Sequence, residues 1–426
     1  MTSEENVWLA AGLRTPFAKI DTAYAHLDAI QLSIPVAQAM TRQEGRMISP
    51  DAIVWGTVAP NLGYSNLARE IQIDAGLDQY IPAYSTVMAC STSMMGVIQA
   101  AGLICQGDID LVMAGGVESM SRVQFGLDQN LSDFLRRFFK TRSATNRLKL
   151  LKGLTLRDVK LYIPSITNRS TGLSMGEHCE LMAKEWKISR EEQDTYALHS
   201  HRKVVEGQKE GFFDSLLVSV ENTDADLIPR SDTNLEQLAK LKPVFDPNSG
   251  NGTLTAGNSS PVTDGAAAVW VCSDEGLDKI SDKVPRARLV DWEITGVNIR
   301  QEGLLMAPCY AIPRMLERHN LGYDDIMLWE IHEAFAAQVL CNIQALESRD
   351  FLKRRVGIDE DFGAFPRLRL NPNGGSVAIG HPFGATGARD LSQAVKELAA
   401  MPSGSLAVVS ICADGGLGTV GLLQAA

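Results

Sequence analysis

Met88-Ala89-Cys90-Ser91-Thr92-Ser93 opens a run of small and apolar residues that continues to Leu103, and Asp110-Leu111-Val112-Met113-Ala114-Gly115-Gly116 follows it. The first part reads as a buried helix, the second as a strand running into a glycine turn. The same order returns near the C-terminus. A glycine-rich turn precedes a helical run from Ala388 to Ala400, then the strand Leu406-Ala407-Val408-Val409-Ser410-Ile411, then Gly415-Gly416. A helix, a strand and a Gly-Gly pair met twice in one order predict a duplicated α/β fold.

Working outward, Val7-Trp8-Leu9-Ala10-Ala11 and Ala52-Ile53-Val54-Trp55-Gly56 read as strands of the first half. From about 123 to 250 the chain is more charged and less regular, with a helical region over 190–207 and a cluster of turn residues over 246–252. Ala266 to Cys272 then returns as a strand. The expected organisation is a first half over 1–122, an inserted loop domain over 123–250, a return to the first half over 251–276 and a second half over 277–426.

Composition narrows the function classes. The 426 residues exceed what one core usually supports, so more than one packing unit is expected. A net charge of −11 argues against nucleic-acid binding. Between Arg136 and Lys160, however, nine basic residues oppose a single acid, Asp158, which marks a contact for phosphate, a membrane surface or an acidic partner. No apolar run is long enough for a membrane helix, and the acidic first residues argue against secretion. Seven scattered cysteines fit reduced thiols in a cytoplasm-like compartment, and none has metal-ligand spacing, so no metal site is expected.

Three segments carry chemistry. Cys90 stands where an extended segment meets a helix start, whose free N–H groups and dipole should lower the thiol's pKa and favour thiolate. His381 lies in a glycine-dense turn, Gly380-His381-Pro382, and is the best-placed base for Cys90. Cys412 ends a strand before a turn of three glycines, where backbone N–H groups can face an oxyanion and the thiol can exchange a proton. A cysteine met alone is more often structural, but the three together point to catalysis. Glu330 to Gln338 adds His332 beside Glu333, which taken alone reads as a solvated helix start. Thr253 to Ala268 reads as a polar turn entering a strand, able to line a ligand tunnel with hydroxyls or simply to join domains.

These motifs resemble the thiolase family over nearly the whole chain. The matching segments, in order, are Cys90 with the small residues that follow it, Gly115 to Ser121, Thr255 to Ala268, His332 to Ala336, Gly380 to Arg389 and Cys412 to Gly418. The resemblance implies the duplicated five-layered αβαβα fold with an inserted loop domain that covers coenzyme A (CoA), and a homodimer or homotetramer. It implies an acyl-CoA:acetyl-CoA C-acyltransferase that cleaves 3-ketoacyl-CoA thiolytically, with CoA as co-substrate and no covalently bound cofactor. Carried over by position, Cys90 is the acyl-accepting nucleophile, His381 its base and Cys412 the acid/base thiol. His332 would share the thioester-oxygen site with His381, and the backbone N–H groups of Cys90 and Asp414 would form a second oxyanion hole. Met175, Ser260 and Phe335 would line the substrate and CoA channel. His332 stands where Asn is commoner, as in the thiolase subunits of fatty-acid oxidation complexes. The basic segment over 136–160 fits the extended loop domain of those subunits, which implies a β-oxidation partner subunit or peripheral membrane contact. Asp414 departs from the usual Gly or Ala, Ser174 from the usual His, and Pro261 from the usual small residue.

Three other activities compete. Acetoacetyl-CoA thiolase shares the chemistry and differs in acyl-pocket depth. A decarboxylating ketosynthase has no need of a second thiol, so Cys412 speaks against it. A non-catalytic lipid-carrier subunit would not need Cys90, His381 and Cys412 together.

Overall fold

The computed structural model describes residues 6–152, 155, 159–162, 164 and 166–426. Arg157 and Asp158 of the basic segment lie outside the described residues. Ten strands form the main sheet: β1 (Trp8–Ala10), β2 (Ala18–Lys19), β3 (Ala52–Gly56), β4 (Ala83–Tyr84), β5 (Leu111–Glu118), β6 (Thr263–Cys272), β7 (Arg286–Gly296), β8 (Ile326–Ile331), β9 (Leu406–Ala413) and β10 (Leu417–Ala425). The order is β8-β9-β10-β7-β1-β6-β5-β3-β4, with β2 on β6. Each half contributes a parallel pair (β3 with β5, β8 with β9) followed by antiparallel partners, and the halves meet where β1 runs antiparallel to β7. The strand order is therefore a near mirror about that junction, as a duplication requires.

The principal helices are α1 (Ala29–Met40), α2 (Leu67–Asp74), α3 (Thr92–Ile104), α4 (Gln129–Lys140), α5 (Ala144–Lys152), α6 (Met175–Glu185), α7 (Arg190–Lys209), α8 (Pro308–His319), α9 (Ala336–Leu346) and α10 (Thr386–Leu398). Helices α3 and α10 pack on each other and on strands of both halves, α1 and α2 cover the first half, and α8 covers the second. That makes five layers, αβαβα. Three apolar cores fill them. One surrounds α3 and α10 (Val97, Leu391, Val409), one lies beneath α1 and α2 (Leu32, Trp55, Trp270), and one lies beneath α8 and α9 (Ile312, Trp329, Val339). Helices α3 and α10 are buried on nearly every face because protein surrounds them.

One expectation fails in an informative way. Gly115 and Gly116 do not turn the chain; they lie inside β5, opposite Ala268 and Ala267. A Cβ on Gly115 would come within 2.7 Å of the Trp55 ring, and one on Gly116 within 1.9 Å of the Gly384 carbonyl oxygen. Close approach explains this pair, whereas Gly415 and Gly416 do turn the chain, with φ of 87° and 73°.

Between β5 and β6 the chain leaves the sheet. Helix α4 buries only Leu131 and Phe134, while Phe139, Leu148 and Leu151 stand exposed among the basic side chains of α4 and α5. Helices α6 and α7 open with capping boxes, Ser174 with Glu177 and Ser189 with Glu192, which fix where each begins.

Candidate active site

Cys90 sits in a single 3-10 turn, Ala89–Ser91, that leads into α3. Ala89 holds a left-handed φ of 46°, a conformation that costs a residue with a Cβ about 1 kcal/mol or more and that surrounding structure must enforce. The Thr92 hydroxyl enforces it from one side, donating to the Ala89 carbonyl (2.7 Å) and accepting from the Met88 N–H (2.9 Å). From the other side, the Ser91 hydroxyl bonds the Thr419 hydroxyl on β10. The strained turn thus presents a partly exposed Cys90 between the two halves.

The expected depression of the thiol's pKa is overturned. Burial, then the Asp414 charge, push Cys90 up to about 12, although the backbone N–H groups of Cys90 and Asp414 oppose the shift. The helix start supplies N–H groups, but desolvation of a thiolate outweighs them. The resting sulfur is a thiol.

Two imidazoles face it. The Cys90 sulfur and a nitrogen from each of His332 and His381 all lie within 4.8 Å of one another, and the ring centroids are 4.2 Å apart. His381 is 4% exposed, and its Nδ1 lies 2.6 Å from the Thr386 hydroxyl. Burial, then Arg389, lower His381 to about 3. His332 follows β8, fixed by its N–H to the Ser410 carbonyl (2.9 Å), and its Nδ1 lies 3.1 Å from the Ser376 hydroxyl. Burial, then His381, then Arg389, hold it well below the ordinary imidazole value. Both Nε2 atoms are buried and unpartnered among the described residues.

The solvated helix start expected at His332-Glu333 is not found, since each residue is 1% exposed and α9 begins only at Ala336. Glu333 accepts from Tyr196 (2.9 Å), Ser200 (2.7 Å), Asn371 (2.8 Å) and the Val377 N–H (3.1 Å). It pins the glycine-rich segment before His381 to α7. Glu118 does the same beyond His381, accepting from Thr57 (2.8 Å), the Ala59 N–H (2.8 Å) and the Gly384 N–H (3.0 Å).

Cys412 lies near the end of β9 and is 1% exposed. Burial, then the nearby Cys90 sulfur, raise its pKa well above the ordinary thiol value, so it too rests protonated. Asp414 turns its carboxylate to the Asn168 amide (2.7 Å) and the Gly415 N–H (2.6 Å).

Two cavities flank the site. The larger, about 570 Å³, is lined by Lys19, His201, Arg230, Phe245, Ser260 and Val377 among others. Ser260 is tied to the Ala334 carbonyl (2.8 Å), and Phe335 packs edge-on against Phe245 at 5.8 Å. Met175 opens α6 and packs on the second core; it is not among the residues lining this cavity. The smaller cavity, about 380 Å³, is lined mainly by apolar side chains including Val58, Ala59, Val123, Phe125 and Phe383. Phe383 also packs edge-on against the His381 ring at 5.0 Å.

The structure brings Cys90, His332 and His381 together, with Cys412 close enough to Cys90 for the Cys90 sulfur to raise its cost of ionisation. Sequence reasoning missed Ser376 and Thr386, which hold the rings, and Asn168, which holds Asp414. It also missed Lys19 and Arg230, whose place in a cavity wall has no local sequence signal.

Comparison with known proteins identifies the family. The thiolase N-terminal domain family matches residues 7–275, and the thiolase C-terminal domain family matches 283–425. A 3-ketoacyl-CoA thiolase of Yersinia pestis (strain Pestoides F) is 37% identical over 427 aligned residues, covering 99% of this chain and 97% of the relative. The acetyl-CoA acetyltransferase of Bacillus anthracis superposes with a TM-score of 0.80 at 27% identity, covering 100% of both chains. Human mitochondrial 3-ketoacyl-CoA thiolase, solved with CoA, superposes with a TM-score of 0.78 at 27% identity, covering 99% of this chain and 98% of that one. With both family domains matched in order across nearly its whole length, the chain belongs to the thiolase family.

Proposed function

We propose that the protein is a 3-ketoacyl-CoA thiolase, cleaving 3-ketoacyl-CoA with CoA to acetyl-CoA and a shortened acyl-CoA. The observation that carries this is a nucleophile placed beside two neutral imidazoles, with a second protonated thiol close by. The Cys90 sulfur attacks the 3-keto carbon as its proton passes to Nε2 of His381. The C2–C3 bond then breaks, leaving an acyl thioester on Cys90 and the electron pair on an acetyl-CoA enolate. His332 stabilises the enolate oxygen, and Cys412 protonates C2 to release acetyl-CoA. Incoming CoA-SH gives its proton to the Cys412 thiolate and attacks the acyl carbon. The oxyanion lies against the backbone N–H groups of Cys90 and Asp414. Expulsion of Cys90, which recovers its proton from the His381 imidazolium, restores the resting state.

CoA fits the larger cavity, with Lys19 and Arg230 as cations for its phosphates and Ser260 for its amide-bearing arm. The acyl tail fits the smaller, apolar one behind Phe383. The loop domain over 123–250 would cover the CoA. Thiolysis followed through loss of the 3-keto-thioester absorbance tests the reading. Wild-type cleavage that Cys412→Ala reduces by about a hundredfold or more supports it, and no cleavage at any chain length rejects it.

The reading extends to a cytoplasmic homodimer or homotetramer, to be checked by light scattering, and to a β-oxidation partner subunit. The exposed Phe139, Leu148 and Leu151 beside Arg137, Lys140 and Lys149 favour peripheral contact with an anionic membrane. Co-sedimentation with anionic but not zwitterionic vesicles is the expected result; pelleting with neither would remove this extension.

A further inference from the structure

We propose that Ser376, held by Arg389, is a positioning residue that locks His332 in its Nε2–H form, while Thr386 locks His381 in the opposite tautomer. The inference rests on the thiolase reading and assigns the division of labour between the two rings.

The donors and acceptors around each ring fix its tautomer. Arg389 Nη2 donates to the Ser376 hydroxyl oxygen at 2.7 Å, and a guanidinium has nothing to accept with. Ser376 is fully buried, and its remaining hydrogen-bond partner among the described residues is His332 Nδ1, at 3.1 Å. The hydroxyl proton therefore points at Nδ1. That nitrogen accepts, and a neutral ring then carries its proton on Nε2. Nε2 is the buried, unpartnered atom in the pocket shared with Cys90.

His381 is arranged the other way. The Thr386 hydroxyl lies 3.1 Å from the Pro382 carbonyl oxygen, which can only accept. With its proton directed there, Thr386 receives the Nδ1–H of His381 across 2.6 Å. Nε2 of His381 is then a bare lone pair. One ring offers a donor to developing oxygen charge and the other an acceptor for the Cys90 proton. Two bare lone pairs would leave the oxygen without an imidazole donor, and two N–H groups would leave no base. Burial and the Arg389 charge keep both rings neutral, which preserves the distinction.

Nitrogen-15 NMR of enzyme labelled at histidine reads the tautomers directly, with His332→Gln and His381→Gln assigning the signals. The expected wild-type spectrum has His332 protonated at Nε2 and His381 at Nδ1. In Ser376→Ala the His332 signals should shift toward a mixture, while those of His381 stay in place. The kcat of thiolysis should fall about tenfold to a hundredfold, less than the loss of an oxyanion donor outright, with KM for CoA unchanged. A wild-type His332 protonated at Nδ1 overturns the proposal without needing any variant to fold. So does Ser376→Ala with wild-type kcat and an unmoved spectrum. Absence of wild-type thiolysis would instead reject the thiolase reading, since the tautomers are read without substrate.

Discussion

At the scale of single residues, the site is a set of groups kept neutral until substrate arrives. Cys90 at about 12 and His381 at about 3 cannot form a resting thiolate–imidazolium pair near neutral pH. A resting ion pair would make alkylation by iodoacetamide level off across neutral pH. Here the thiolate fraction grows about tenfold per pH unit below the thiol's pKa. The inactivation rate should therefore climb without a plateau from about pH 6 to about pH 10. A plateau near neutrality would refute this. Asp414 is the second cause of the raised value, so Asp414→Asn, which removes the charge and keeps the side chain's size, should speed alkylation a few-fold at fixed pH.

At the scale of elements, helix α10 brings the two halves of the site together. Its Gly387 meets α3 so closely that a Cβ there would lie 2.5 Å from the Met94 backbone nitrogen. The Ser93 hydroxyl accepts from the Ala388 N–H at 2.8 Å across the same contact. Gly387→Ala must push the helices apart, moving Cys90 away from His381. A loss of about 2 kcal/mol in stability is expected, with a fall in kcat, checked by denaturant titration and thiolysis. Further along, α10 carries a buried acid cluster with β8. Burial raises Asp390 to about 6 and Glu397 to about 7, and holds Glu330 well above the ordinary range. These acids bind protons more tightly folded than unfolded. Their contribution to stability is complete below the unfolded carboxyl pKa and is lost as pH rises through six to seven. Glu397→Gln cannot ionise, so its melting temperature should exceed the wild type's near about pH 8. The advantage should shrink toward about pH 5, and an equal advantage at both would show that charge is not the cause.

At the scale of the whole molecule, duplication was legible because each half needs the same local signals: an apolar buried helix, an apolar strand and glycines where backbones approach. Cys90, His381 and Cys412 were legible as candidates because each sits beside small residues where an element starts or ends, whereas His332, between Ile331 and Glu333, entered only through the family resemblance. The state of the site was not. Whether Cys90 gains more from N–H groups than it loses by desolvation depends on packing from both halves, and the burial of Glu333 depends on α7 folding over it. Under the proposed function, chain-length preference would likewise be set by the assembled cavity behind Phe383, whose walls come from segments as distant as Ile20, Ala59, Val123 and Ile166. An apolar volume of about 380 Å³ suits a medium-length alkyl tail better than the single methyl of acetoacetyl-CoA. A 3-ketodecanoyl thioester should therefore show a higher kcat/KM than acetoacetyl-CoA. Ala59→Phe, placed in the cavity wall, tests the cause. Each methylene excluded from an apolar pocket costs about tenfold in kcat/KM, so the longer substrate should lose at least that much while acetoacetyl-CoA thiolysis persists. Equal losses on both substrates would place the tail elsewhere, and preference for acetoacetyl-CoA in the unaltered enzyme would make the short-chain activity the better account of the site.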